Sequence, residues 1–155
     1  MSPPPPLPAS PPHGDSTPKP KASITEHFTP SSLASSPHYH AMSITTIAGP
    51  SKMLHMAGQI GRDGDGVLAA SYLEQVRLAL ANLRACLASQ GATPRDLVKL
   101  TYYIVDYDPA ARAHAELLYD FLGDARPPAT LIPVQKLALP GLLFEVDAVA
   151  VVSLE

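Results

Sequence analysis

The sequence predicts an α+β fold in which two amphipathic helices cover one face of a single mixed sheet, in the order β-β-α-β-α-β-β. Three observations support this prediction. Two segments place apolar residues at steps of three and four, as helices do. The segments around them alternate between apolar and polar residues, as strands do. Two helices separated by strands bury their apolar faces most economically against one sheet, and 155 residues suffice for one domain.

The first 36 residues differ in composition from the rest. Eleven of the 18 prolines lie within the first 37 residues, and proline at that density neither continues helices nor donates to strand ladders. This segment also has too little apolar volume to offset the entropy cost of ordering. We therefore expect residues 1–36 to be a disordered tail and residues 37–155 to form the domain. The run PPPPLP at residues 3–8 leaves open an SH3- or WW-type partner as the alternative to a solvated tail.

The composition argues against several classes of function. The net charge is −3, from 11 Lys+Arg and 14 Asp+Glu, whereas nucleic-acid binders carry a basic surface. The single cysteine, Cys86, excludes an internal disulfide and thiolate-cluster metal sites. The sequence shows neither the apolar run of a membrane span nor the pattern of a secretory signal. We expect a cytoplasmic protein that binds neither nucleic acid nor membrane.

The first half of the domain is expected to form a hairpin and a helix. The hairpin strands are residues 39–47 and 53–60, with a turn at 49–52. Ser71 and Glu74 form a capping box, and Gly91 is placed to end the helix. Its apolar face carries Leu73, Val76, Leu80, Leu83 and Leu87, with Cys86 near the seam as a buried thiol, and its polar face carries Glu74, Gln75, Arg77, Asn82 and Arg84.

The second half is expected to alternate strand, helix, strand and strand. Residues 96–106 alternate as a strand, and Asp108 with Pro109 then supplies an N-cap and a first-turn proline. This second helix runs to Leu122, ends at Gly123, and carries His114 toward solvent. Residues 129–138 and 142–152 form the last two strands.

The sheet face away from the helices is predicted to be an interface between subunits. It mixes charged and apolar side chains in a way that suits neither a solvated surface nor a core. We infer a homo-oligomer from this face, which carries Lys99, Thr101, Tyr103, Leu143, Glu145, Asp147, Val149 and Val151.

Two carboxylates and one glycine are the candidates for chemistry. Glu145 and Asp147 are two apart on a strand, so both point to the same face, and partial burial raises the pKa of a carboxyl group into the range of general acids and bases. The alternative is a salt bridge to Lys99 or Lys136, which we favour for Asp147. Gly58 ends the second strand and lets a ligand approach backbone N–H groups, or it belongs to an ordinary turn.

The start of the first strand carries two histidines and a tyrosine. His38 and His40 share a face, but no third metal ligand lies at a recognisable spacing, so we expect no metal. Tyr39 lies on the opposite side, where its hydroxyl is available to a ligand.

Four segments in this order resemble the reactive-intermediate deaminase (Rid) family, also labelled endoribonuclease L-PSP. They are AGQIG at 57–61, SQGATPRDLVKLTYYIVD at 89–106, GDARPPATLIPV at 123–134 and LALPGLLFEVDAVAV at 137–151. The resemblance covers residues 36–155. It implies a chorismate-mutase-like fold, a homotrimer whose sheets form a central barrel, and ligand clefts between subunits. It also implies hydrolysis of imines and enamines without metal or cofactor.

The resemblance carries over to individual site residues with one departure. The family arginine that binds a substrate carboxylate falls on Ala129 or Thr130, so we expect an arginine-lacking member. Glu145 matches the glutamate that positions the attacking water, and Gly58 matches the pocket glycine. Tyr39 matches a pocket tyrosine if the first hairpin has an insertion. The expected catalytic residues are Glu145 and Thr130, and the expected substrate-binding residues are Tyr39, Gly58, Gln59, Ala129, Leu131 and Tyr103.

The predicted function is acid–base chemistry on a small imine, enamine or carbonyl compound: hydrolysis, tautomerisation or cyclisation. The alternative is a non-catalytic member of the same fold that binds a metabolite or a protein. A ribonuclease, which the family label suggests, fits the negative net charge poorly.

Overall fold

The structure is a computed structural model that describes residues 24–154. It contains two helices, six strands and a short 3₁₀ helix at Pro94–Asp96. In chain order the elements are β1 (Ile24–Phe28), β2 (Met42–Thr46), β3 (Ser51–Ile60), α1 (Tyr72–Ala88), β4 (Leu97–Val105), α2 (Ala113–Leu122), β5 (Ala129–Val134) and β6 (Phe144–Ser153). Within this range, no helix is long and apolar enough to cross a membrane.

The main sheet has four strands in the order β3-β6-β4-β5. β6 pairs antiparallel with both β3 and β4, whereas β4 and β5 are parallel. The parallel pair needs a crossover, and α2 supplies it. The predicted α+β class, with a mixed sheet and two helices, is confirmed.

One hydrophobic core joins both helices to one face of this sheet. α1 contributes Leu83 and Leu87, α2 contributes Phe121, and the strands contribute Leu100 and Phe144, all at most 5% exposed. Because both helices belong to the same core, the opposite face of the four-stranded sheet carries no helix. We call this second face the open face; its side chains come from β3, β4, β5 and β6.

The first strands differ from the prediction. β1 lies within the residues expected to be tail, and β2 pairs with β1 in a separate two-stranded sheet instead of forming a hairpin with β3. Side chains join the two strands: Thr25 Oγ1 lies 3.0 Å from Thr45 Oγ1, and His27 Nδ1 lies 3.0 Å from Ser43 Oγ. The proline content, averaged over 36 residues, hid this five-residue strand. The SH3-type motif lies outside the described residues.

In helix α1 the predicted caps are confirmed, and the prediction that Gln75 lies on a polar, exposed face is wrong. The reciprocal capping box between Ser71 and Glu74 is present, and Gly91 takes the left-handed conformation (φ 72°) beyond the helix end. Gln75, placed on the polar face by the helical period, is 1% exposed. Its amide donates to the carbonyls of Ala69 and Gly141 and accepts from the N–H of Leu143. Loops that the periodicity cannot detect cover this flank.

Helix α2 begins later than predicted. It starts at Ala113 without a side-chain cap, because Asp108 instead accepts a 2.8 Å hydrogen bond from the N–H of Ala110 in the preceding turn. Gly123 follows the last helical residue, Leu122, as expected. His114 is 5% exposed rather than solvated. Cys86 is half-buried rather than fully buried.

Candidate functional site

The two candidate carboxylates lie on the open face. Along β6, Phe144, Val146 and Ala148 are buried in the core, whereas Glu145 and Asp147 between them are half-buried on the opposite side. The strand alternation therefore places both acids together, as predicted, and away from the helices.

Glu145 lies over the irregular end of β3. The pairing of β3 with β6 shifts register between Met56 and Gln59, and Gly58 falls within this bulge. A Cβ atom on Gly58 would overlap the carboxylate of Glu145 and stand 2.8 Å from its Cγ. Burial, and secondly the charge of Asp147, raise the pKa of Glu145. The bulge thus lets the carboxylate of Glu145 pack directly against the backbone of Gly58.

Asp147 is held by a tyrosine and not by a lysine. The hydroxyl of Tyr103 donates to Asp147 Oδ2 at 3.2 Å, and the negative charge of Asp147 is the main cause of the raised pKa of Tyr103. Arg95–Asp124 is the single salt bridge within residues 24–154. The predicted salt bridge from Asp147 to Lys99 or Lys136 is therefore wrong.

Thr130 is on the open face but not beside Glu145. It is exposed, pairs with Thr101 across β4 and β5, and accepts a hydrogen bond from Lys99. Glu145 pairs instead with Tyr103. Two strand spacings and two residues of rise separate Thr130 from Glu145, roughly 12 Å. Within one chain these two predicted catalytic residues therefore do not contact the same small substrate atom.

Three predicted binding residues lie on the helix side of the sheet. Ala129 and Leu131 pair with Leu100 and Tyr102, which face the core. Together with Tyr39 they line a cavity of about 100 Å³ under α2, which we call the α2 cavity. Gln59 does not line the α2 cavity. Its side-chain amide donates to the carbonyl of Ala57 on its own strand at 2.9 Å. The structure thus divides the predicted site residues between opposite faces of the sheet.

The sequence reasoning missed several residues of the α2 cavity. Arg112 and His114, at the start of α2, line it. His38 also lines it and stacks on the ring of Tyr119, with 5.0 Å between ring centroids. One sequence pattern would have predicted the burial of His114: it lies four residues before Leu118 and eight before Leu122, so all three share one face of α2.

The two histidines considered as metal ligands have different partners. His38 stacks on Tyr119, whereas His40 Nδ1 lies 3.2 Å from Thr29 Oγ1. Across residues 24–154, no group of three His, Cys, Asp or Glu side chains is arranged to hold a metal ion.

Comparison with known proteins decides the family. The model of the family described as "Endoribonuclease L-PSP" matches residues 30–152. The chain belongs to the endoribonuclease L-PSP, or Rid, family. A RutC family protein of Pyrococcus abyssi is 28% identical over 99 residues, which cover 63% of this chain and 76% of the relative.

Solved structures of Rid proteins share the fold. A conserved Rid family protein of Yersinia pestis, YyfB, is 32% identical with a TM-score of 0.72, covering 81% of this chain and 97% of that one. TdcF of Escherichia coli, solved with bound serine, is 26% identical with a TM-score of 0.56, covering 65% of this chain and 81% of that one. The YyfB structure is described as a protein of unknown function. Rid membership therefore establishes the scaffold, and the chemistry has to be argued from the site.

Proposed function

We propose that this Rid protein is an enzyme that acts on a small imine, enamine or carbonyl compound, with Glu145 as the proton-transfer group. The observation that carries the proposal is the half-buried carboxyl of Glu145 over the backbone of Gly58. Because burial and Asp147 both raise its pKa, this group exchanges protons closer to neutral pH than an ordinary glutamate does. The bound serine in TdcF supports a ligand of similar size.

For an imine, the simplest reaction is hydrolysis. Glu145 accepts a proton from a water molecule whose oxygen attacks the C=N carbon, and passes that proton to the imine nitrogen to give a carbinolamine. In the second step the hydroxyl proton of the carbinolamine moves through Glu145 to the amine nitrogen, the C–N bond breaks, and ammonia leaves with a carbonyl product and an ionised Glu145. The backbone N–H at Gly58 is suited to hold the polarised heteroatom. Tautomerisation and cyclisation need the same proton transfer without release of ammonia.

We further propose that the site forms between subunits of a homotrimer. Glu145 and the α2 cavity lie on opposite faces of one sheet, so a single chain cannot present both to one substrate. The open face carries apolar side chains suited to an interface, including Met53, 57% exposed, and Ile132, 36% exposed. A neighbouring copy that covers this face would bring its own cavity toward Glu145 and complete the cleft.

The arginine-lacking assignment shapes the choice of substrate. Ala129 and Thr130 occupy the stretch where the Rid arginine is expected, and neither side chain binds a carboxylate as an arginine does. Arg126 does not replace it, because its Nη1 donates to the carbonyls of Gly123 and Ala125 in the preceding turn. The substrate is therefore not held by an α-carboxylate at the start of β5.

Ammonia release from freshly generated small imines and enamines tests the enzymatic proposal. We expect Glu145→Gln to lower kcat by about a hundredfold or more, the usual contribution of a general acid or base. Glu116→Gln on the exposed side of α2 is the matched control and should keep wild-type turnover. Full turnover by Glu145→Gln on a substrate of the wild-type protein would refute the role of Glu145.

The second candidate is a non-catalytic member that binds a metabolite or a protein. Two features favour it: the position expected to carry the family arginine is assigned to Ala129 or Thr130, and the hydroxyl of Thr130 accepts a hydrogen bond from Lys99. Mass spectrometry of each ligand recovered after incubation separates the candidates. Ligands that bind and are always recovered unchanged support binding alone.

A further inference from the structure

Two amide side chains of α1 bind the backbone on either side of the candidate acid. Gln75 and Asn82 are two helical turns apart, so they share one face of the helix. The helical period assigns that face to solvent, yet Gln75 is 1% exposed and Asn82 is half-buried. Both amides make their hydrogen bonds to main-chain groups outside the helix. Satisfied polar contacts of this kind fix the relative positions of the segments that they join.

Asn82 fastens the end of β3. Its Nδ2 donates to the carbonyl oxygen of Ile60 at 3.0 Å and to that of Arg62 at 2.9 Å, so both hydrogens of the amide group are used. Ile60 is the last residue of β3, and its partner on β6 is Glu145. Asn82 therefore holds the residue that lies directly opposite the candidate acid, and it does so through the backbone.

Gln75 fastens the loop that leads into β6. Its Oε1 accepts from the N–H of Leu143 at 2.8 Å, and its Nε2 donates to the carbonyl of Gly141 at 2.9 Å. Leu143 lies two residues before Glu145. Gly61, which directly follows β3, packs on the same turn of α1, since a Cβ atom there would overlap the Cα of Gln75. Helix α1 thus binds both of the strand ends that meet at Glu145.

The ladder between β3 and β6 is least constrained beside Gly58. Six residue pairs precede the register shift, whereas only two pairs, at Gln59 and Ile60, follow it. A bulge disrupts the ladder locally, and short paired segments at an element end open most easily. The hydrogen bonds from Asn82 supply the constraint that two ladder pairs alone do not give.

We propose that Asn82, supported by Gln75, is the positioning residue of the candidate site: by holding the end of β3 against β6, it places the backbone of Gly58 under the carboxylate of Glu145. Helix α1 packs on the other face of the sheet from Glu145, so Asn82 acts through the main chain of residues 58–62. That this placement serves proton transfer rests on the proposed function; the placement itself does not.

Loss of the two hydrogen bonds has a defined consequence at Glu145. When the end of β3 moves away from β6, water reaches the carboxylate, and the burial that raises its pKa is reduced. The pKa of Glu145 is therefore expected to fall toward its ordinary value. The carboxylate also loses its alignment with the reacting atom, which lowers kcat more than it changes KM.

Asn82→Leu tests the proposal, because leucine has nearly the size of asparagine, carries no charge and cannot donate to either carbonyl. Titration of the side-chain carboxyl carbon of Glu145, followed by NMR on the full-length protein, measures its pKa, and Glu145→Gln identifies the signal. We expect the pKa of Glu145 to fall, kcat to drop about tenfold and KM to change by less than about twofold. A wild-type pKa of Glu145 in folded Asn82→Leu would overturn the proposal.

Arg84→Leu is the matched control on the same helix. Arg84 also donates to a backbone carbonyl, that of Phe121 on α2, at 3.1 Å, and its charge is not among the causes that shift the pKa of Glu145. This variant should leave the pKa of Glu145 at its wild-type value and kcat within about twofold. An equal fall of that pKa in Arg84→Leu and Asn82→Leu would overturn the proposal, because the effect would then be a general loosening of α1.

Asn82→Ser provides the second variant if Asn82→Leu fails to fold. Its hydroxyl donates one hydrogen bond in place of two, so the pKa of Glu145 should fall in the same direction by a smaller amount. A folded Asn82→Ser in which that pKa equals the wild-type value would count against the assignment as decisively.

The positioning role and the catalytic role fail separately. If Asn82→Leu lowers the pKa of Glu145 but Glu145→Gln retains full turnover, the positioning assignment stands and the proposed proton transfer by Glu145 is wrong. If Glu145→Gln abolishes turnover but Asn82→Leu changes neither the pKa of Glu145 nor kcat, the catalytic role stands and the positioning assignment is wrong.

Discussion

The carboxylate of Glu145 occupies the space that a side chain on Gly58 would fill. A Cβ atom at Gly58 would overlap that carboxylate and lie 2.8 Å from the Cγ of Glu145. The glycine is therefore required by the position of the acid and not by the backbone, since Gly58 is absent from the positive-φ glycines.

Gly58→Ala is expected to displace Glu145 and lower turnover about tenfold or more, because a misplaced proton-transfer group loses alignment with the reacting atom. Gly64→Ala is the matched control, since a Cβ there meets nothing within 4 Å. Steady-state kinetics of both variants, with circular dichroism to verify folding, checks the effect. A wild-type kcat in Gly58→Ala would show that turnover does not depend on the position of the Glu145 carboxylate over Gly58.

Asp147→Asn is expected to move the pH profile of kcat toward lower pH. The charge of Asp147 contributes to the raised pKa of Glu145, and the amide removes that charge while Asn can still accept from the Tyr103 hydroxyl. In the proposed reaction the ionised carboxylate of Glu145 accepts the proton, so the acidic limb of the pH profile, where kcat rises as Glu145 ionises, shifts to lower pH when the pKa of Glu145 falls. Asp120→Asn, on the exposed side of α2, should leave the limb in place. If the acidic limb of the kcat profile of Asp147→Asn moves to higher pH or stays at the wild-type pH, the electrostatic coupling between Asp147 and Glu145 is contradicted.

Gln75→Leu is expected to destabilise the protein by about 2–4 kcal/mol, because it leaves three backbone groups without their buried partner. The amide of Gln75 connects α1 to the loops before α1 and before β6. Gln90→Leu, which loses only an exposed hydrogen bond from Lys52, should cost less than about 1 kcal/mol. Urea denaturation at one fixed protein concentration measures both. Equal midpoints for the two variants would exclude this role for Gln75.

Acidification should reduce stability, and His114 should account for part of the loss. The pKa of His114 is lowered in the folded state, so below its ordinary value of 6.5 the unfolded chain binds a proton that the folded chain does not. The free energy of unfolding therefore falls as pH decreases through 6.5 and is unaffected well above it. His27 contributes in the same direction. His114→Phe should show a shallower decrease between pH 7.5 and 5.5, the change in slope corresponding to at most about one proton. An identical slope in the two proteins would contradict the burial of a neutral His114.

The sequence was sufficient where one local pattern determines one contact. The Ser71–Glu74 box and the alternation that places Glu145 and Asp147 on the open face depend on residues three apart or on periodicity. Periodicity also gave four of the five residues predicted for the buried stripe of α1; the fifth, Leu73 in the first turn, is 37% exposed. The resemblance to the Rid family predicted how these elements assemble into one fold, and membership of that family is confirmed by the match over residues 30–152.

The errors arose where distant segments decide the environment. β1 was hidden by the prolines around it, and its pairing with β2 is a contact across residues 29–41 that no local pattern records. Gln75 and His114 look solvated on their helices, but loops and neighbouring rings cover them. Arg112 has no sequence pattern that marks it, and only the packing of the loop before α2 against β4 and β5 shows that it lines the α2 cavity.

The central claim is that the site requires several copies of this chain, since Glu145 and the α2 cavity face away from each other in one subunit. Light scattering of the purified protein during size-exclusion chromatography, repeated at successive dilutions, tests this most directly. We predict the mass of three chains at every dilution at which the protein remains active. A mass of one chain in an active sample would contradict it.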